Sequence, residues 1–165
     1  MDGYRQANLD WFANFDCKDW YAVTLNLEQS LPDVNGERCR LTEQVASRNL
    51  RHYINILEKR FYGNAARRYG KHLEIIPTFE YAGKNKRYLH YHAHIKRPAH
   101  IPEWKFENQL RNFWFKTEWG TLNVLVVKHA DKGWLKYITK ETKGWSANPE
   151  WNFENIDFLN IRFAG

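Results

Sequence analysis

Tyr88–Lys96 reads YLHYHAHIK, with His90, His92 and His94 at every second position. Successive side chains of a β-strand point to opposite faces, so residues two apart share one. If this stretch is a strand, three imidazoles project together. Three readings stay open at this point: a metal site, a histidine-rich sheet face used for surface or nucleic-acid contacts, or an accident of sequence.

Upstream, His72–Ala82 reads HLEIIPTFEYA and forms a second strand, and GKNKR at Gly83–Arg87 supplies the turn residues of a hairpin. A turn centred on Lys84 and Asn85 places Glu80 opposite, or nearly opposite, His90. Cross-strand neighbours on one face come within about 5.5 Å at Cβ, so Glu80, His90 and His92 could converge on one ion. Two imidazoles and a carboxylate, with positions left open, form a ligand set for a catalytic divalent metal. No cysteine joins them, which argues against a closed structural zinc site. A register slip of two would put His94 in place of His90.

Further outward, Asp19–Gln29 (DWYAVTLNLEQ) is rich in β-branched and aromatic residues and reads as a strand. Ser30–Cys39 (SLPDVNGERC) reads as a turn-rich loop. From Leu41 to about Tyr62, Val45, Leu50, Tyr53, Ile54, Leu57 and Phe61 recur at helical spacing, with Thr42 placed to cap the helix. Pro102–Trp119 reads as a second helix with proline near its start. Thr121–Ala130 reads as a strand, Lys132–Thr142 as a short helix, and Asn155–Ala164 as a last strand. The order β-α-β-β-α-β-α-β predicts an α+β domain over residues 1–165. Its expected core is a ferredoxin-like or RRM-like antiparallel sheet with helices packed on it.

The chain of 165 residues is 43% hydrophobic and 16% aromatic, with a formal net charge of +6 and a pI near 9.3. A basic, aromatic-rich domain suits a polyanionic partner, nucleic acid first, and equally an ordinary basic protein with solvated lysines. Cys17 and Cys39 lack metal-site or disulfide-framework spacing and read as reduced thiols in an intracellular compartment. The first sixteen residues contain no apolar run of a signal peptide, and no stretch nears the roughly 20 apolar residues of a membrane span.

Trp134–Glu141 reads WLKYITKE. On a helix, Tyr137 and Lys140 lie three apart on one face, either as a half-buried aromatic beside a solvated charge or as a nucleophile with its companion. A phenol ionises near pH 10 and becomes a nucleophile only with help, which a metal-polarised phosphate and a neighbouring ammonium would supply.

Taken in order, YAVTLNL (Tyr21–Leu27), LHYHAHI (Leu89–Ile95) and YITKE (Tyr137–Glu141) resemble the three motifs of the HUH endonucleases. The closest resemblance is to the single-tyrosine replication initiators (Rep proteins) of rolling-circle plasmids and small single-stranded DNA viruses and phages. The resemblance implies His90 and His92 as the histidine pair around Tyr91, Glu80 as the acidic third ligand, Mn²⁺ or Mg²⁺ as the ion, Tyr137 as nucleophile and Lys140 as its companion. His94 is extra to the pattern. The chain carries no G-x-x-x-x-G-K-[ST] phosphate loop, so a helicase domain is not expected and the chain reads as a short initiator or a nuclease domain.

The implied activity is site-specific nicking and joining of single-stranded DNA, at an origin extruded in a hairpin or melted, through a 5′-phosphotyrosine. The expected setting is cytoplasmic in a bacterial or archaeal host, or nuclear for a eukaryotic virus. A monomer is expected, with a host helicase or polymerase as a further partner. Lys84, Lys86, Arg87, Lys96 and Arg97 around the hairpin, and Lys128, Lys132 and Lys136 before the tyrosine, are candidate DNA contacts. Trp104, Trp134 and Trp145 are candidates for base stacking. Two rivals stay open: a transposase of the same superfamily, acting at element ends as a dimer, and a non-catalytic nucleic-acid binder on a ferredoxin-like sheet.

Overall fold

A computed structural model of the chain describes residues 16–82, 88–127 and 156–163. Its elements are β1 (Trp20–Leu27), β2 (Ser30–Pro32), β3 (Arg38–Arg40), α1 (Glu43–Tyr62), α2 (Asn64–Tyr69), β4 (Ile75–Ala82), β5 (Tyr88–Lys96), α3 (Glu103–Phe115) and β6 (Gly120–Val127). Four strands form one sheet in the order β4-β5-β1-β6, each neighbouring pair antiparallel. The connection through α1 passes from β1 over β5 to β4. The connection through α3 passes from β5 over β1 to β6. The fold is therefore α+β, with two interleaved crossovers.

Strand alternation divides the sheet into two faces of different chemistry. Tyr21, Val23, Leu25 and Leu27 of β1 and Leu89, Tyr91, Ala93 and Ile95 of β5 are buried in the main core. Against them pack Ala46, Leu50, Tyr53, Ile54, Leu57 and Phe61 of α1 and Phe106, Leu110 and Trp114 of α3. Burying this many large side chains, each worth about 1.5–3 kcal/mol, is the main force joining helices to sheet. Polar tips inside the core find partners: the Tyr53 hydroxyl donates to the Leu110 carbonyl at 2.9 Å, and the Trp114 indole N–H donates to the Asn26 carbonyl at 2.7 Å. The opposite face carries the even-numbered residues, His90, His92 and His94 among them.

α1 matches the expected helix at both ends. Thr42 Oγ1 accepts from the Val45 amide at 3.3 Å, and Gly63, at φ +55°, ends the helix in the left-handed region that favours glycine.

Several segments differ from the sequence expectation. The Ser30–Cys39 loop contains a two-stranded hairpin, β2 paired with β3. Asp33 Oδ1 accepts from the amides of Asn35 and Glu37, an Asx turn that closes it. α2, between Gly63 and Gly70, was not anticipated. β4 starts at Ile75 rather than His72, because the Leu73 amide donates to the Glu58 carboxylate instead of a strand partner. α3 stops at Phe115 rather than Trp119. The Thr117 hydroxyl and amide both donate to the Trp114 carbonyl, and β6 begins so close to that turn that a Cβ on Gly120 would lie 2.0 Å from the Trp114 carbonyl oxygen.

The expected last strand, Asn155–Ala164, is reduced to isolated bridges, Ile156 with Thr78 and Arg162 with Ile75. A turn at 158–160 separates them, and Asp157 and Asn160 point into buried polar contacts. This segment lines the β4 edge, where Pro77 has no amide to offer and its carbonyl accepts from the Asp157 amide. The expected helix Lys132–Thr142 lies outside the described residues. Among the described residues, no helix is long and apolar enough to cross a membrane.

Candidate metal centre

The hairpin register brings three potential ligands together. Glu80 on β4 pairs directly with His90 on β5, and His92 pairs with Thr78 on one side and Thr24 of β1 on the other. One face of the sheet thus presents Glu80, His90 and His92, whose ligand atoms all lie within 4.8 Å of one another. His90 Nε2 is 3.2 Å from Glu80 Oε2 and 3.2 Å from His92 Nε2, and His92 Nε2 also contacts Glu80 Oε2 closely. The two rings meet edge to face, their planes 84° apart.

The two 3.2 Å separations, His90 to Glu80 and His90 to His92, fit a shared cation. Donors about 2.1 Å from one ion, at angles of 90–110°, lie about 3.0–3.4 Å apart. The donor set of two imidazole nitrogens and one carboxylate oxygen could hold a divalent metal and leaves further positions for other ligands. His90 and Glu80 are half-buried and His92 is buried, so the cluster sits in the sheet surface with one side toward solvent.

Electrostatics keeps the acid ready as a ligand. Hydrogen bonding to His90 and then to His92 holds the Glu80 carboxyl down to about 2, against the burial that pushes it up. It is an anion across the whole physiological range.

His94 shares the face but not the cluster. It pairs with Ile76 and Ala22, is fully buried, and meets Trp20 edge-on at 6.1 Å. Trp20, Ala22 and Ile76 form a small second apolar cluster around it. The Glu80–His90 pairing sets the register that puts His94 away from the carboxylate.

Two of the candidate DNA contacts are engaged within the chain at the far end of β5. Lys96 Nζ is 2.8 Å from Glu74 Oε1 and lies over the Trp20 ring at 6.0 Å. Arg97 pairs with Asp19, which sits at φ +61°, and donates to the Ile101 carbonyl at 2.8 Å. Trp104 stands exposed on α3. Lys84, Lys86, Arg87, Lys128, Lys132, Lys136, Tyr137, Lys140, Trp134 and Trp145 lie outside the described residues.

Two neighbours of the cluster were missed from sequence. Thr24 Oγ1 lies 3.0 Å from His92 Nδ1. Thr78 Oγ1 donates to the His92 carbonyl at 3.0 Å. Both sit directly across from His92, so the strand order and register would have pointed to them, whereas composition could not.

The fold and the cluster together define an α+β domain with a His-His-Glu group, able to hold a metal, on the sheet face away from the helices. No protein family, curated protein or solved structure matches the chain.

Proposed function

We propose that this chain is an HUH-type endonuclease, a Rep-like initiator of rolling-circle replication that nicks and joins single-stranded DNA on a ferredoxin-like sheet. The observation that carries the reading is the meeting of Glu80, His90 and His92 in one cluster, on the residues that the sequence resemblance names as ligands. The strand order β4-β5-β1-β6 supports it, since it is that of a ferredoxin-like sheet.

Mn²⁺ or Mg²⁺ held by these three side chains would supply Lewis-acid polarisation of the scissile phosphate. The remaining chemistry falls to the chain. The Tyr137 hydroxyl gives up its proton as its oxygen attacks phosphorus, the bond from phosphorus to the 3′ oxygen breaks, and that oxygen takes up a proton to leave as a 3′-hydroxyl, so no net proton is gained or lost. The 5′-phosphate stays on Tyr137 as a phosphodiester, and Lys140 offsets charge on the phosphate. Attack by a 3′-hydroxyl on that ester reverses the step and joins strands with no nucleotide hydrolysis.

The test is incubation with a pool of single-stranded oligonucleotides and Mn²⁺, followed by a denaturing gel and sequencing of attached DNA. The reading expects an adduct that needs Mn²⁺ and is lost in Tyr137→Phe. Binding without any adduct would identify a nucleic-acid-binding module instead.

A further inference from the structure

Nothing in the sequence motifs says what keeps the His92 ring in place, yet the two imidazoles of the cluster are held differently. His92 uses Nε2 toward Glu80 and His90 and places Nδ1 3.0 Å from Thr24 Oγ1. Among the described residues, none holds Nδ1 of His90. We infer that Thr24 is a positioning residue for the metal centre, fixing the ring orientation of His92 so that Nε2 faces the ion. The inference rests on the metal reading of the Glu80–His90–His92 cluster.

Three observations carry it. Thr24 lies directly opposite His92 in the β1–β5 register, on a central strand whose neighbours on both sides are paired, so its backbone cannot drift. Its β-branched side chain is stiff about χ1, which holds the hydroxyl at one place. The His92 backbone is pinned from the other side, where the buried Thr78 hydroxyl donates to its carbonyl. Ring and backbone of one ligand are therefore held by threonines from the two flanking strands.

The choice of a hydroxyl has a chemical reason. A neutral imidazole carries one ring proton, and a hydroxyl both donates and accepts. With Nε2–H turned to the Glu80 carboxylate, Nδ1 accepts from the Thr24 O–H. When the Nε2 lone pair is given to a cation, the single ring proton resides on Nδ1 and donates to Thr24 Oγ1. The hydrogen bond reverses and the ring does not turn. A carboxylate in this position would serve only the second state, and a valine neither. Outer-shell partners of this kind set ligand tautomer and orientation, and their loss typically weakens metal binding 10–100-fold.

The test measures Mn²⁺ affinity by the EPR signal of the free ion for the full chain and for Thr24→Val and Thr24→Ser. Valine keeps the shape and removes the hydroxyl; serine keeps the hydroxyl and removes the methyl. The inference expects affinity to fall about 10-fold or more in Thr24→Val and to recover in large part in Thr24→Ser. Wild-type binding matched by Thr24→Val, or a serine variant as weak as valine, overturns the inference and leaves the metal reading standing. A wild-type chain that binds no Mn²⁺ overturns both.

Discussion

Tyr91, set between the two proposed ligands His90 and His92, points to the other face of the sheet and donates its hydroxyl to Asp157 at 2.9 Å. Asp157 also accepts from Asn160 at 2.7 Å, and Asn160 donates to the carbonyl and hydroxyl of Ser47 on α1. The strand that bears His90 and His92 is thus tied through its reverse side to α1 and to the segment lining β4. Tyr91→Phe removes one donor from a buried carboxylate, a loss of about 1–3 kcal/mol. Urea unfolding should show it as a lower midpoint at unchanged slope. Mn²⁺ affinity should change little, because the hydroxyl lies on the far face; a large drop would mean that the network governs the geometry of the cluster.

The same tyrosine gives an alkaline signature. Burial, then the Asp157 charge and its hydrogen bond, push the Tyr91 phenol far above its ordinary value, and burial alone does so for Tyr53. A folded pKa raised above the unfolded one contributes stability that is fully present below the unfolded value, about 10. That stability is lost as pH rises beyond it. Phenolate absorbance should therefore show these two tyrosines titrating only together with unfolding. A native, folded chain in which both ionise near pH 10 would contradict their burial.

How much of this was legible in the sequence follows from which signals are local. Period-two alternation in YLHYHAHIK and the turn residues after Ala82 placed Glu80 opposite or nearly opposite His90 and left a slip to His94 open, which the Glu80–His90 pairing resolves. α1 was legible because its apolar residues repeat at helical spacing behind a threonine cap. The ends of α3 and of β4 were not, since they depend on the Trp114 carbonyl meeting Thr117 and on Glu58 capturing the Leu73 amide. The segment Asn155–Ala164 looks like a strand from its apolar residues, but Asp157 and Asn160 gain more from buried partners than from a ladder. Thr24 is invisible to motif spacing. Its role appears only when β1 is laid beside β5.

Alanine substitutions separate ligand from packing residues. Glu80→Ala, His90→Ala and His92→Ala should each weaken Mn²⁺ binding by more than about 10-fold, the scale on which even outer partners act. His94→Ala should act on stability instead. Removing a fully buried ring that meets Trp20 edge-on leaves a cavity costing on the order of 2 kcal/mol. Calorimetry of Mn²⁺ binding beside thermal unfolding decides this. A binding loss from His94→Ala equal to that from His90→Ala would favour the slipped ligand pair His92 and His94.

Acid stability tests the carboxylate. The Glu80 carboxyl is lowered from its ordinary value to about 2 by His90 and His92. A depressed folded pKa contributes stability that is present above the unfolded value and lost as pH falls through the folded one. In metal-free protein, the wild type should exceed Glu80→Gln in stability at about pH 5, just above the unfolded carboxyl range. The gap should close as pH falls toward 2. A gap that stays constant down to pH 2 would mean that Glu80 gains nothing from the two histidines.

On the proposed function, the basic residues at the two ends of β5 should differ in whether they meet DNA. Lys96 and Arg97 are paired with Glu74 and Asp19 at the end of β5 away from the cluster. Lys84, Lys86 and Arg87 fall in sequence between Glu80 and His90, in the stretch the sequence reads as the hairpin turn. Each phosphate contact contributes about 0.7 to the slope of log affinity against log salt for a single strand. Replacing the three turn residues by alanine should therefore flatten that slope by up to about 2, while nicking at saturating DNA changes little, because none is expected at the reacting phosphorus. Replacing Lys96 and Arg97 should leave the slope nearly unchanged and lower thermal stability, since Asp19 and Glu74 lose their partners. Affinity of a labelled single strand measured at four or more salt concentrations separates the two groups. An unchanged slope in the turn variant, or a flattened slope in the Lys96 and Arg97 variant, would reverse the assignment.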